Sequence, residues 1–421
     1  MRLELHKHRI KSVEWAETTE IQGSTLFINK TELIKALTKD TNHLVDVVIC
    51  RPGERVRITS ILDIVEPRTK AEGGGGVFPG FLSSSEKVGN GVTKVLEGVA
   101  VMEVASIPRV QEGLVDMGGV GAKYSPFSRT NNMVLVFERG AGTPLNEFEE
   151  GVRLAGLRAS DYLAKASLDR DPDEAETFEL DLEKIGSEKE ESLKRIGYIY
   201  MLQSQGFLRD TFHYGRSVSR LIATQIHPNE IMDGAIVSGN YVIPSNRNPT
   251  YLHLNNPIIR ELYLRHGHDL LFHGVVICNE HSRLEEKERA AREAVETLKR
   301  LGSDGVIITK EGGGNADTDL MLMCSTCESQ GIRTVLLGNE GAGADGRDPS
   351  LAHITPEADA FVTTGNNDEA VELDPVDKLI GQGPPLPRVT ENLKGKLTIP
   401  VSRINGAASL LGYGALTCTS N

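Results

Sequence analysis

The residues best equipped for chemistry gather in the last third of the chain, in four loops that each follow a short apolar run. Asn279 and Glu280 follow the first run. Lys310-Glu-Gly-Gly-Gly-Asn-Ala-Asp317 follows the second and brings Glu311, Asn315 and Asp317. Gly338 to Gly346 follows the third with Glu340, and Gly365-Asn-Asn-Asp368 follows the fourth with Asn366. Glycine permits close backbone approach, asparagine offers both donors and acceptors, and carboxylates favour cations. These seven side chains, Asn279, Glu280, Glu311, Asn315, Asp317, Glu340 and Asn366, are therefore the candidate substrate-binding set. A small ligand with a cationic amine, or a metal held by oxygens, suits them better than a dinucleotide. The second loop lacks the G-x-G-x-x-G register, and acidic loops would repel a pyrophosphate. Gly/Asn turns at strand ends also occur without any ligand, so both readings stand.

Cysteine and histidine add less. Cys324-Ser-Thr-Cys327 has redox spacing, but Leu320, Met323, Cys324 and Cys327 follow i, i+3, i+4, i+7. That periodicity puts both sulfurs on the apolar stripe of a helix, late in it, where nothing lowers a thiol pKa, so they are expected to be buried and inert. Seven histidines between His213 and His281 form no H-E-x-x-H, and a zinc site would need further ligands; surface or capping roles are expected and no metal site is assigned.

Elements must position these loops. The runs His273–Cys278, Gly305–Thr309, Thr334–Leu337 and Ala360–Thr363 read as strands. Helical patterns separate the first three of these strands, one from Leu284 to Leu301 and one from about Asp317 to Gln330. On the first, Leu284, Ala291, Val295 and Leu298 share a face, and Glu285/Arg289, Glu288/Arg292 and Glu296/Arg300 stand at pairing distance. Alternation of this kind predicts an α/β fold with a doubly wound parallel sheet, whose ligands bind beyond the carboxyl ends of the strands. Upstream the chain reads as strand-rich and mixed α/β. Val45–Cys50 and Arg55–Ile61 flank the turn-forming Arg51-Pro-Gly-Glu54 as a hairpin, Met133–Phe137 reads as a buried strand, and about Leu145 to Ala166 as a helix. Gly73 to Gly76 reads as a flexible surface loop. Asp169 to Glu191 is dense in charge and reads as a solvated connector. The expected organisation is a strand-rich domain over 1–168, a connector over 169–191, a helical and strand segment over 192–267, and the doubly wound domain over 268–421.

The balance of 46 basic against 59 acidic residues gives a net charge of −13, which disfavours nucleic acid and anionic membranes as partners. No apolar run is long enough to span a bilayer, the start MRLELHKHRI lacks a signal-peptide core, and the five cysteines do not make a secreted disulfide framework. A cytoplasmic location is expected.

Three longer strings, Asp233-Gly-Ala-Ile-Val-Ser-Gly-Asn240, Asn255-Asn-Pro-Ile-Ile-Arg-Glu-Leu-Tyr263 and Gly314-Asn-Ala-Asp-Thr-Asp-Leu320, make the stretch from Arg216 to Gly381 resemble the pyruvoyl-subunit precursor of glycine/sarcosine/betaine reductase component B. The opening MRLEL and the overall length agree. The resemblance implies a precursor that cuts itself before a cysteine in a G-N-C segment and caps the new end with a pyruvoyl group. It also implies a hetero-oligomeric complex in which a second subunit, bearing cysteine or selenocysteine, attacks a small amine or amino acid and its carbon–nitrogen bond is reductively cleaved.

Here the matching segment is Gly239-Asn240-Tyr241. Making a pyruvoyl group requires a heteroatom on Cβ, first to attack the preceding carbonyl and then to leave. The tyrosine oxygen lies across an aromatic ring, so neither step is open to it. Asn240 and Tyr241 thus mark the family's catalytic position, while an uncleaved chain without pyruvoyl or other cofactor is expected. Tyr241 then offers a hydrogen-bonding or aromatic surface to an ammonium group, or simply packs. Three functions follow as expectations: a reductase-complex subunit, a non-catalytic scaffold subunit of such a complex, or a metal-dependent enzyme acting on a small amine.

Overall fold

The run Lys194–Leu202, apolar from Ile196 onward, lies inside a six-stranded sheet. Across the sheet the order is Thr224–Ile226, Leu270–Asn279, Lys194–Leu202, Gly305–Thr309, Arg333–Glu340 and Phe361–Asn366. Only the first strand runs antiparallel. The computed structural model describes residues 1–39, 41–107, 113–183, 192–204, 210–239, 243–381 and 392–413.

Side chains alternate across a strand, and this one shows the consequence directly. Tyr198, Tyr200 and Leu202 join a core with Ile258, Ile259 and Leu262 of the helix Pro257–Arg265. Ile199 and Met201 join another with Ala291, Val295 and Leu298 of the helix Leu284–Arg300 and with Leu320, Cys324 and Cys327 of the helix Asn315–Ser329. The chain is thus mixed α/β with a mostly parallel sheet in its C-terminal half. Upstream stand smaller mixed sheets. One orders Glu174–Glu179, Arg2–Arg9, Gly91–Glu97 and Arg68–Glu72; another orders Leu44–Cys50, Asn131–Phe137, Val99–Ala105 and Ile61–Val65. The core that holds Tyr198 and Tyr200 also holds Leu3, Leu5, Ile58 and Ile64, so the small sheets and the large one share apolar burial.

Several expectations change. The turn at Arg51–Glu54 forms, with Gly53 at φ +86° and Glu54 N–H donating to Arg51 O. Yet no hairpin results, because Leu44–Cys50 pairs with Asn131–Phe137 while Val56–Thr59 pairs with Leu114–Asp116 and Lys378–Ile380. The charged stretch 169–191 is not connector throughout, since Glu174–Glu179 is an edge strand antiparallel to Arg2–Arg9. The large sheet does not begin at residue 268 either, as it draws strands from 194–202 and 224–226. On the helix Leu284–Arg300, Leu284 is 58% exposed and off the core. Arg289 there pairs with Glu286 and Glu293, and Lys299 with Glu296, leaving only Glu288/Arg292 as expected. Helix Leu145–Ala164 and strand Asn131–Phe137 appear where the pattern placed them. Among the described residues no helix is long and apolar enough to cross a membrane.

Arg57 fastens a distant C-terminal stretch to the small sheets. It is fully buried and grips Asp116 with two parallel bonds, Nε to Oδ1 at 2.7 Å and Nη2 to Oδ2 at 2.8 Å. Its remaining donors reach the carbonyls of Leu393 at 2.6 Å and Asp374 at 2.9 Å. Removing one partner of such a pair strands a buried charge, which costs about 3–5 kcal/mol. Arg57→Met is expected to lower the unfolding free energy by about that amount in a urea titration, whereas a loss below about 1 kcal/mol would remove Arg57 from this role.

Candidate functional site

The strand order reverses between Lys194–Leu202 and Gly305–Thr309. From the first of these the chain crosses to Leu270–Asn279 on one side, and from there to Gly305–Thr309 on the other. Ligands in open parallel sheets bind in the crevice beyond the carboxyl ends at such a reversal. The residues that follow these two strands, Gln203 and Glu311, meet there.

Glu311 is fully buried and accepts from three separate parts of the chain. Its Oε2 receives the Gln203 backbone N–H at 2.9 Å and the Thr211 hydroxyl at 2.6 Å, and its Oε1 receives the Asn248 backbone N–H at 3.1 Å. Glu280 stands beneath it, its Oε1 accepting the Glu311 N–H at 2.8 Å while its buried Oε2 has no partner among the described residues. Complete burial, reinforced by Asp319 and Glu311, pushes Glu280 well above the usual carboxylate range. The loop after Glu311 folds back because Gly312 and Gly314 take φ of +77° and +66°, and Gly312 N–H then donates to Asn246 O at 2.7 Å.

The first crossover supplies the opposite wall. His253 is wholly buried, and burial pushes it down to about 4, so it is neutral at physiological pH. Asn248 Nδ2 donates to the Tyr200 hydroxyl at 3.2 Å, and that hydroxyl lies 2.6 Å from His253 Nδ1. With its proton directed at Nδ1, the tyrosine leaves His253 Nε2 as the protonated nitrogen, 3.7 Å from Glu311 Oε1. Arg247 completes the group. Its Nη1 donates to the Thr211 hydroxyl at 2.7 Å, and burial pushes its guanidinium below its ordinary pKa. Ser245, two residues earlier, is held by Asn339 Nδ2 donating to its carbonyl at 2.6 Å.

Of the seven binding candidates, the structure brings Glu280 and Glu311 together at this centre. Asp317 lies in an adjoining cavity of about 270 Å³, where its Oδ1 pairs with the buried Lys310 Nζ at 2.9 Å and its Oδ2 accepts from Ala352 N–H. Asn315 is exposed and donates to His281 O, at the start of the helix Asn315–Ser329. Asn279 points elsewhere, its Nδ2 donating to Val218 O and Ser219 O. Glu340 and Asn366 brace the far edge of the sheet, through Thr363 Oγ1 donating to Glu340 and through Asn366 exchanging bonds with Ala342 and Gly343. Asn240, Tyr241 and Val242 lie outside the described residues. Immediately before them Ser238 and Gly239 are buried, and a Cβ on Gly239 would overlap the carbonyl oxygen of Asp210.

Thr211, Arg247, Asn248 and His253 were missed by the sequence reading because none follows an apolar run. Only the crossover between the first two parallel strands carries them to the reversal. Histidines also depart from expectation: His227 does cap the helix Pro228–Met232, but His227, His253 and His273 are all buried. Cys324 and Cys327 are free and buried, and burial pushes the Cys327 thiol up to about 12. Among the described residues no three His, Cys, Asp or Glu side chains stand together as a metal site.

Comparison with known proteins places this arrangement. Residues 1–419 match the family model of glycine/sarcosine/betaine reductase component B subunits. The chain is 42% identical over 425 residues to glycine reductase complex component B subunits alpha and beta of Peptoclostridium acidaminophilum, covering 99% of each. It is 44% identical over 384 residues to the sarcosine reductase complex component B subunit alpha of that organism, 90% of this chain and 89% of the relative. To the betaine reductase complex component B subunit alpha it is 34% identical over 392 residues, 91% and 88% of the two. No solved structure matches. The protein belongs to the glycine/sarcosine/betaine reductase component B family.

Glu280 offers a pH test of the site's electrostatics. Its folded pKa lies above the ordinary value of 4.5, so its contribution to stability is complete below that pH and is lost as pH rises. Glu280→Gln keeps the acceptor for Glu311 N–H and does not titrate. The melting temperature of E280Q minus that of the wild type is therefore expected to increase between pH 5 and pH 8, and a difference that shrinks over this range would contradict the assignment.

Proposed function

We propose that this chain is the substrate-holding subunit of a reductase-type complex that cleaves the carbon–nitrogen bond of a small amine or amino acid, and that it works as one uncut polypeptide without pyruvoyl. Whole-length similarity to component B subunits supports the first half. Tyr241 carries the second.

The pyruvoyl group that the resemblance implies does not fit the residue present. Its formation consumes a sulfur or oxygen on Cβ, and Tyr241 has neither. What the chain's own residues supply is a buried polar centre at the strand reversal, where neutral His253, raised Glu280 and buried Arg247 would hold a small zwitterion by hydrogen bonds. The nucleophile comes from the partner subunit as a thiol or selenol.

Intact-mass measurement of the purified protein is expected to show a single species near 45.8 kDa with no hydrazine-reactive carbonyl. Two fragments meeting between Asn240 and Tyr241 would reject the proposal.

The same substitution favours a second reading, a scaffold subunit that keeps the fold and partner contact but has lost turnover. Reconstitution with a thiol- or selenol-bearing partner separates the two. The catalytic reading expects release of amine or ammonia by the pair and by neither chain alone; tight association with no turnover on glycine, sarcosine or betaine would leave the scaffold.

A further inference from the structure

The protein buries several guanidinium groups, and most of their donors are satisfied. Arg57 spends its Nε and Nη2 on Asp116 and its other bonds on carbonyls; Arg68 spends its Nε and Nη2 on Glu66 and further bonds on the carbonyls of Met232 and Leu254 and on Asn255. Arg247 is the contrast. Equally buried, it makes one bond through Nη1 to Thr211, while Nε and Nη2 have no partner among the described residues. A buried donor left unmade costs free energy, and it costs more when the group carries charge. Such a feature in a folded protein calls for an absent partner.

The identity of the two idle atoms narrows that partner. Nε and Nη2 lie on one edge of the planar guanidinium, the edge that Arg57 turns toward both oxygens of Asp116 at 2.7 and 2.8 Å. Two parallel donors of this spacing match a carboxylate. The protein's own carboxyl groups near Arg247 are otherwise engaged. Glu311 already accepts three bonds, Glu280 is driven toward its neutral form, Asp210 accepts from the Ser217 hydroxyl, and Asp63 accepts from the N–H and hydroxyl of Thr250.

We infer that the Nε/Nη2 edge of Arg247 receives the carboxylate of the substrate. This rests on the reading above that the substrate is a small amine or amino acid of the kind for which the relatives are named. Glycine, sarcosine and betaine differ in the methylation of nitrogen and share a carboxylate one carbon away from it. Arg247 recognises the shared part. The neutralised carboxylate also presents the carbon between the two groups to an incoming anionic nucleophile with less repulsion. Arg247 is a binding residue in this scheme, and Thr211 and Glu311 are positioning residues that fix its rotamer.

The test is calorimetric binding to the full-length protein. Glycine, sarcosine and betaine are titrated beside glycinamide, which keeps the amine and replaces the carboxylate with a neutral amide. Wild type is expected to bind at least one of the three acids and to bind glycinamide on the order of tenfold to a hundredfold more weakly, the size of a lost charged hydrogen-bonded contact. Arg247→Met is expected to lose acid binding by a similar factor, with Arg247→Lys intermediate. Because the substitution removes two buried donors that have no partner among the described residues together with the single bond to Thr211, the ligand-free R247M protein is expected to melt near wild type. Where R247M does not fold, the glycinamide comparison on the wild type still decides. Equal binding of glycine and glycinamide, or undiminished glycine binding by R247M, would overturn the role of Arg247 and leave the proposed substrate class standing. No binding of any of the three acids by the wild type would overturn that substrate class, and this assignment with it.

Discussion

Glu311 ties three stretches of chain that are far apart in sequence. One carboxyl group accepts from residue 203 at the end of the central strand, from residue 211 on the return path, and from residue 248 in the first crossover. The sheet provides the platform, because two parallel strands end side by side where their crossovers diverge. The side chain then decides how that gap is closed. Without an acceptor in this position, two backbone N–H groups and a hydroxyl would be buried with nothing to bind, at roughly 1–3 kcal/mol each.

The surroundings of Glu311 show how far burial can rearrange ordinary charge states. Desolvation drives His253 to its neutral form and Glu280 toward protonation. Arg247 resists neutralisation most strongly, since guanidinium is a far stronger base than its neighbours. The result is a buried polar centre in which the Arg247 guanidinium stands among carboxyl groups and a neutral imidazole. On the proposed function, its two unfilled donors take the anionic end of a zwitterion. The net charge of −13, read from composition, gives no hint of this buried guanidinium.

Much of the large sheet was legible because buried parallel strands are apolar runs and the helices between them have strong 3.6-residue spacing. Glu280 and Glu311 stood out for the same reason, each being placed just beyond such a run, and the structure brings them together. Arg247, Thr211 and His253 carry no comparable mark. Their importance arises from a crossover that returns over the sheet, and the reversal that creates the crevice depends on Lys194–Leu202 sitting between strands that come later in the chain. Asn279 had the right position and the wrong direction, drawn away by two carbonyls of the Val218–Arg220 turn. In the small sheets the turn at Arg51–Glu54 was visible but its strands' partners were not, because both pair with segments distant in sequence. Glu174–Glu179 went unseen because its alternating pattern is written mostly in charge, as suits an edge strand.

We propose that this member of the component B family lacks one atom on which self-processing of the kind that the resemblance implies depends, since Tyr241 has no heteroatom on Cβ. Buried Ser238 and Gly239 lead into position 241, and Gly239 is packed so closely on Asp210 that only glycine fits. Supplying the missing atom is the most direct measurement. Tyr241→Cys should divide on purification into two fragments meeting between Asn240 and residue 241, the second carrying a hydrazine-reactive carbonyl. A Y241C protein that stays whole and unlabelled would mean that more than a single heteroatom separates this chain from a self-processing one.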